Sequence, residues 1–122
     1  GLASQAVTVA DPAVGTGTFM LGVLSRIAAT VEADEGAGAV AGAIDAAIER
    51  LIAFEMQLGP FAVAQLRIYA EFVHLIGKTP KSPVRMFVTD TLGNPYIEQE
   101  WLPAIFTPKQ WRASRVCVIN PP

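Results

Sequence analysis

The sequence predicts an α/β fold built on a doubly wound, mainly parallel sheet. Short apolar runs alternate with longer segments of helical spacing, the pattern of strands joined by crossover helices. Apolar residues make up 52% of the chain, which suits strands covered on both faces. A polar residue closes each apolar run: Asp11, Glu55, Asp90 and Asn120. In a parallel sheet ligands sit outside the carboxyl ends of the strands, so these four residues are expected along one rim.

The elements follow in order. Gln5 to Ala10 reads as a short buried strand and Asp11 to Gly17 (DPAVGTG) as a turn. Thr18 to Val31 has helical spacing, with Phe19, Leu21, Val23, Leu24, Ile27 and Ala28 on one side. The acidic, glycine-containing stretch Glu32 to Gly38 is expected to break the helix, leaving Asp34 and Glu35 in a solvated turn. Ala39 to Arg50 reads as a second helix and Leu51 to Glu55 as a second strand. A third helix is expected to start with Pro60 at its first position and to stop at Gly77. Val84 to Thr89 reads as a third strand and Arg115 to Ile119 as a fourth. Between them lies the long polar stretch Asp90 to Arg112.

Charge and length limit the function. The chain has 122 residues, enough for one compact domain with a modest core. Nine basic residues face eleven acidic ones, a formal charge of −2, so this stretch is not expected to supply the main grip on a nucleic acid. A single cysteine, Cys117, excludes an internal disulfide and is compatible with a reducing cytosol. No uninterrupted apolar stretch is long enough to cross a membrane, and no signal-peptide pattern opens the chain. Gly1 at the start, and Pro121-Pro122 directly after an apolar run, read as cuts within a longer protein.

The glycine turn carries the first chemical signal. In Asp11-Pro12-Ala13-Val14-Gly15-Thr16-Gly17-Thr18-Phe19 the glycines allow a sharp bend and let a ligand approach the main chain. The helix that follows offers unpaired N–H groups suited to an anionic or carboxylate-bearing ligand. The same residues also serve a tight strand-to-helix turn that binds nothing. The dinucleotide fingerprint fails because position 20 is Met20, and the phosphate-loop Gly-Lys-Ser/Thr is absent.

DPAVGTGTF closely resembles the D-P-A-x-G-T-G-T-F cofactor loop of the adenine-N6 DNA methyltransferases of restriction-modification systems. The terminal Asn120-Pro121-Pro122 resembles the start of their N-P-P-Y/F catalytic motif, and the order of the two loops is that of the gamma-type arrangement. LIAFEMQLGPFAVAQLRI resembles the family's second-strand carboxylate and following helix, and RMFVTDTL its third-strand segment.

The resemblance implies a Rossmann-like fold dependent on S-adenosylmethionine, truncated after the fourth strand. Residues 1–122 would be the cofactor-binding part of the catalytic domain, with the target-recognition domain absent. It implies that Asp11, Gly15 and Gly17 line the methionine end of S-adenosylmethionine, with Pro12, Ala13, Thr18 and Phe19 shaping the loop. Glu55 would accept from the ribose hydroxyls, Met56 would pack on the adenine ring, and Asp90 would accept from the cofactor's amino group. Asn120 and the Pro121 carbonyl would accept from the target amine, with Pro122 fixing the loop. No metal is implied. The sequence departs from the pattern by ending before the motif's aromatic residue, so this stretch alone is expected to be inactive.

Two other readings stay open. N-P-P-Y also occurs in enzymes that methylate glutamine in proteins and in some that methylate RNA. Their cofactor loop usually reads D-x-G-x-G-S/T-G, against which Asp11-Pro12-Ala13 argues. A catalytically silent structural domain is the alternative of a different class. The expected partners are DNA, through the longer enzyme, and a second copy of the chain through the open edge of the fourth strand. His74, Cys117, Tyr96, Trp101 and Trp111 read as packing or surface residues.

Overall fold

The computed structural model describes residues 1–90 and the backbone of 115–118. Among the described residues the elements run β1 (Val7–Asp11), α1 (Thr18–Glu35), α2 (Ala37–Ala47), a 3-10 turn (Ile48–Arg50), β2 (Leu51–Glu55), α3 (Leu58–Ile76), β3 (Arg85–Val88) and β4 (Arg115–Val118). The four strands form one sheet in the order β3-β2-β1-β4, and every pair is parallel. The predicted α/β parallel architecture is therefore present.

Strand order decides where the open end of the sheet becomes useful. From β1 the chain moves outward to β2 and then β3, and β4 returns to the other side of β1. The order thus reverses at β1, and such a reversal leaves a crevice at the carboxyl ends of the strands. Val7 to Ala10 pair with Arg115 to Val118, so β1 has neighbours on both sides.

Side-chain alternation sorts the sheet into two faces. Val9, Leu51, Ala53 and Met86 join the cluster formed with the helices. The helices supply Met20, Val23, Leu24, Ile27 and Val31 from α1, Ile44 and Ala47 from α2, and Ala64, Ile68, Phe72 and Ile76 from α3. On the opposite face Phe54 lies in register with Phe87, with ring centroids 5.7 Å apart. By the same alternation Asp11 and Glu55 share the helix-side face with Val9 and Ala53.

The boundaries differ from the sequence expectation at several points. The acidic stretch does not break the first helix, which runs to Glu35 and places Asp34 and Glu35 in its exposed last turn. Ala and Glu are good helix formers, so the stop waits for Gly36 at φ 89°. The second helix starts at Ala37 and tightens into the 3-10 turn at Ile48. Pro60 is the third helical residue of α3, not the first. It is tolerated there because the first N–H groups of a helix have no intrahelical partner. Gly77 ends α3 in the left-handed region, and its N–H donates to the Val73 carbonyl at 2.9 Å. The first strand is shifted to Val7–Asp11 and the third is shorter than expected; of the fourth, Arg115–Val118 lies among the described residues.

Arg50 secures the end of the sheet remote from the crevice. Its Nη1 donates to the Ser4 carbonyl at 2.7 Å and the Val7 carbonyl at 2.6 Å. Burial lowers the guanidinium's pKa from its ordinary value.

Candidate functional site

The carboxyl ends of β1 and β2 and the loop after β1 build the site. Asp11 lies opposite Ala53, and Glu55 sits further along the neighbouring strand. Beyond β3 the ladder continues, because the Thr89 N–H donates to the Glu55 carbonyl at 2.9 Å. Asp90 follows at once and is exposed. The structure thus places Asp90, Glu55 and Asp11 in that order across one rim. Asn120, Pro121 and Pro122 lie outside the described residues.

Asp11 is fully buried. Its Oδ1 accepts from the Ala13 N–H at 3.1 Å, closing an Asx turn over Pro12 that swings the chain out of the strand. Val14 then returns to the sheet, its N–H donating to the Phe54 carbonyl at 2.9 Å. The Gly17 N–H donates to the Val14 carbonyl at 2.9 Å, and the Leu21 N–H to the Gly17 carbonyl at 3.0 Å, which leads into α1. No described side chain caps that helix, so its first N–H groups face the loop uncapped.

The two loop glycines have different jobs. Gly15 sits at φ 57°, and a Cβ added there would meet nothing within 4 Å. The space beside it is open to a ligand. Gly17, at φ 91°, is packed against α3: an added Cβ would lie 3.3 Å from Ile68 Cδ1 and 3.4 Å from the Ala64 Cβ. The sequence reading gave both glycines to ligand approach. At Gly17 the side that a Cβ would occupy faces the protein's own third helix.

Glu55 does more than wait for a ligand. Its Oε2 accepts from the Gly15 N–H at 2.8 Å, a bond between residues 40 apart in sequence. Its Oε1 accepts from the Met56 and Gln57 N–H groups, both at 3.0 Å, at the entry to α3. A carboxylate has about four lone-pair directions, so three bonds leave little unused capacity. Two apolar side chains flank this carboxylate and loop in sequence, and both are exposed: Phe19 at 58% and Met56 at 60%. Thr18, the first residue of α1, is also exposed.

Sequence reasoning missed Thr16 and Arg67. Arg67 Nη1 donates to the Thr16 carbonyl at 2.7 Å and lies 3.3 Å from its hydroxyl. The available signal was register: Arg67 directly precedes Ile68 and stands three positions after Ala64, on the part of α3 that meets Gly17.

No family model and no curated protein matches the chain. Solved structures do. The ATP-dependent Type ISP restriction-modification enzyme LlaBIII, bound to DNA, matches 74% of this chain at 28% identity with a TM-score of 0.62. The DrdV–DNA complex matches 92% at 25% identity with a TM-score of 0.57. A nuclease-deletion mutant of the Type ISP restriction-modification enzyme LlaGI, in complex with a DNA substrate mimic, matches 98% at 23% identity with a TM-score of 0.68, a likeness of fold.

The chain is thus similar to segments of restriction-modification enzymes. It spans only 6% of the LlaBIII chain and 10% of each of the other two. No helix among the described residues is long and apolar enough to cross a membrane.

Proposed function

We propose that this chain carries the S-adenosylmethionine pocket of a restriction-modification DNA methyltransferase that acts on the N6 amine of adenine. The observation that carries the reading is the join between the DPAVGTG loop and Glu55, made at the strand-order reversal of a parallel sheet. The similarity to a segment of the restriction-modification enzyme LlaBIII supports it.

The residues present fit such a cofactor. Open space beside Gly15 leaves room at the main chain. Glu55 offers a carboxylate to a ribose diol, and Asp90 offers one further along the rim. Exposed Met56 supplies an apolar surface for an adenine ring, and the exposed ring of Phe19 belongs to the same loop as Gly15. Pro12 and Ala13 set the shape of the bend from Asp11 to Gly17.

When bound, the cofactor supplies an electrophilic methyl group on sulfur. This chain's residues hold it and orient it. At the target amine, Asn120 and the Pro121 carbonyl would act as acceptors for the amine hydrogens and so raise the nitrogen's nucleophilicity. Pro122 restricts the residue before it, which holds that carbonyl's direction in advance. The target base has to leave the duplex to reach such acceptors.

A titration of the 122-residue chain with S-adenosylhomocysteine, followed by calorimetry, tests cofactor binding. Saturable heat is expected. Its absence with a folded chain would favour a silent structural domain, a reading that the three backbone bonds already held by the Glu55 carboxylate specifically support. Methyl transfer by the longer enzyme, compared on DNA, RNA and peptide, tests the substrate; adenine in DNA is expected to be the acceptor.

A further inference from the structure

We infer that Arg67 is a positioning residue for the glycine loop, holding Thr16 so that the loop keeps the shape a ligand meets. The consequence for a ligand rests on the methyltransferase reading above; the effect on the loop does not.

Three observations lead to Arg67. The loop has two anchors on the sheet side, at Phe54 and Glu55. On its other side it touches α3, where Gly17 packs against Ala64 and Ile68. Between those two contact points on the same helix, Arg67 reaches Thr16, the one residue separating the two positive-φ glycines.

Thr16 sits where a restraint has most effect. Its flanking glycines lack a Cβ, so side-chain sterics limit the backbone little on either side. The Gly17 N–H bond to Val14 holds one side of the peptide that joins Thr16 to Gly17. The Arg67 bond to the Thr16 carbonyl holds the other side of the same peptide, and its contact with the hydroxyl restrains the side chain. A guanidinium is suited to this because its planar donors hold orientation as well as distance. No ion pair involves Arg67 among the described residues, so no carboxylate there competes for its donors.

The effect is local, and that separates positioning from general structural support. Arg67 is exposed and contributes nothing to the buried face of α3. Its replacement should therefore loosen the loop and leave the core unchanged.

The test compares wild type, Arg67→Met and Arg67→Lys. Methionine keeps the aliphatic stem and removes every donor; lysine restores one donor. Amide hydrogen exchange reads the Gly17 N–H, which is bonded to Val14. In Arg67→Met it should speed up roughly three- to tenfold, the scale of one ordinary hydrogen bond, since this one is exposed to solvent. Exchange in the core of β1 and β2 should stay at the wild-type rate, and Arg67→Lys should recover part of the protection. The dissociation constant for S-adenosylhomocysteine should rise by a similar factor in Arg67→Met and fall back in Arg67→Lys.

Unchanged Gly17 exchange in Arg67→Met overturns the inference. So does an increase spread evenly over β1 and β2. If wild type binds no S-adenosylhomocysteine, the methyltransferase reading fails, while the exchange comparison still decides the role of Arg67.

Discussion

The Gly15 N–H points at Glu55 and donates to its Oε2 at 2.8 Å, joining the loop after β1 to the end of β2. The contact ties together two features that the sequence carries 40 residues apart. It also sets a competition. Oε1 already serves the Met56 and Gln57 N–H groups. A ligand that presents two hydroxyl donors to Glu55 has to share Oε2 with Gly15 or displace it.

The first prediction follows from that contact. Glu55→Ala leaves three backbone N–H groups without their carboxylate partner. Two of the three bonds are solvent-exposed, so the cost should be about 1–2 kcal/mol in urea unfolding. In wild type, S-adenosylhomocysteine should shift the Gly15 amide resonance more than those of Met56 and Gln57. A Gly15 resonance that stays in place at saturation contradicts the competition.

The two loop glycines should respond differently to alanine. Gly17→Ala meets both the left-handed backbone penalty and the crowding from Ala64 and Ile68, and should cost about 2–3 kcal/mol. Gly15→Ala faces open space, so only the backbone term applies, roughly 1 kcal/mol. Ligand binding should reverse the ranking in its cause: Gly15→Ala fills the space at the main chain and should weaken S-adenosylhomocysteine binding even where the protein stays folded. Equal loss of stability in the two variants, measured by urea midpoints, counts against this division of labour.

Met56 offers a cleaner separation of binding from folding. Its side chain is exposed, so Met56→Ala should leave the melting temperature nearly unchanged. If an adenine ring packs on it, the same change should weaken binding by about tenfold, from lost apolar burial. Calorimetry on the folded variant measures this, and wild-type affinity would remove Met56 from the site.

β4 makes a prediction about assembly. Among the described residues it is hydrogen-bonded to β1 alone, so no described strand pairs with its other edge. The chain should self-associate as concentration rises, seen by light scattering as an increase in mean mass. A constant monomer mass at high concentration argues that this edge is covered.

Alternating apolar runs and helical spacing were enough to read the parallel α/β class and the approximate place of every described element from the sequence. Local chemistry was enough because strand and helix periods are properties of neighbouring residues. The same holds for the turn at Asp11 to Gly17 and for the stop at Gly77, where proline, aspartate and glycine act on the backbone within a few residues of themselves. Helix ends were less legible: Glu32 to Glu35 look like a break, but the chain follows helix propensity until Gly36 removes it.

Pairings across long stretches of chain came only from the tertiary structure. Nothing local to Gly17 says that α3 will press against it, and nothing local to Glu55 says that Gly15 will donate to its carboxylate. Arg67 gains a loop contact only because β2 places α3 beside the turn that follows β1. Those relationships depend on strand order and packing distance, which a linear pattern of residue types does not encode.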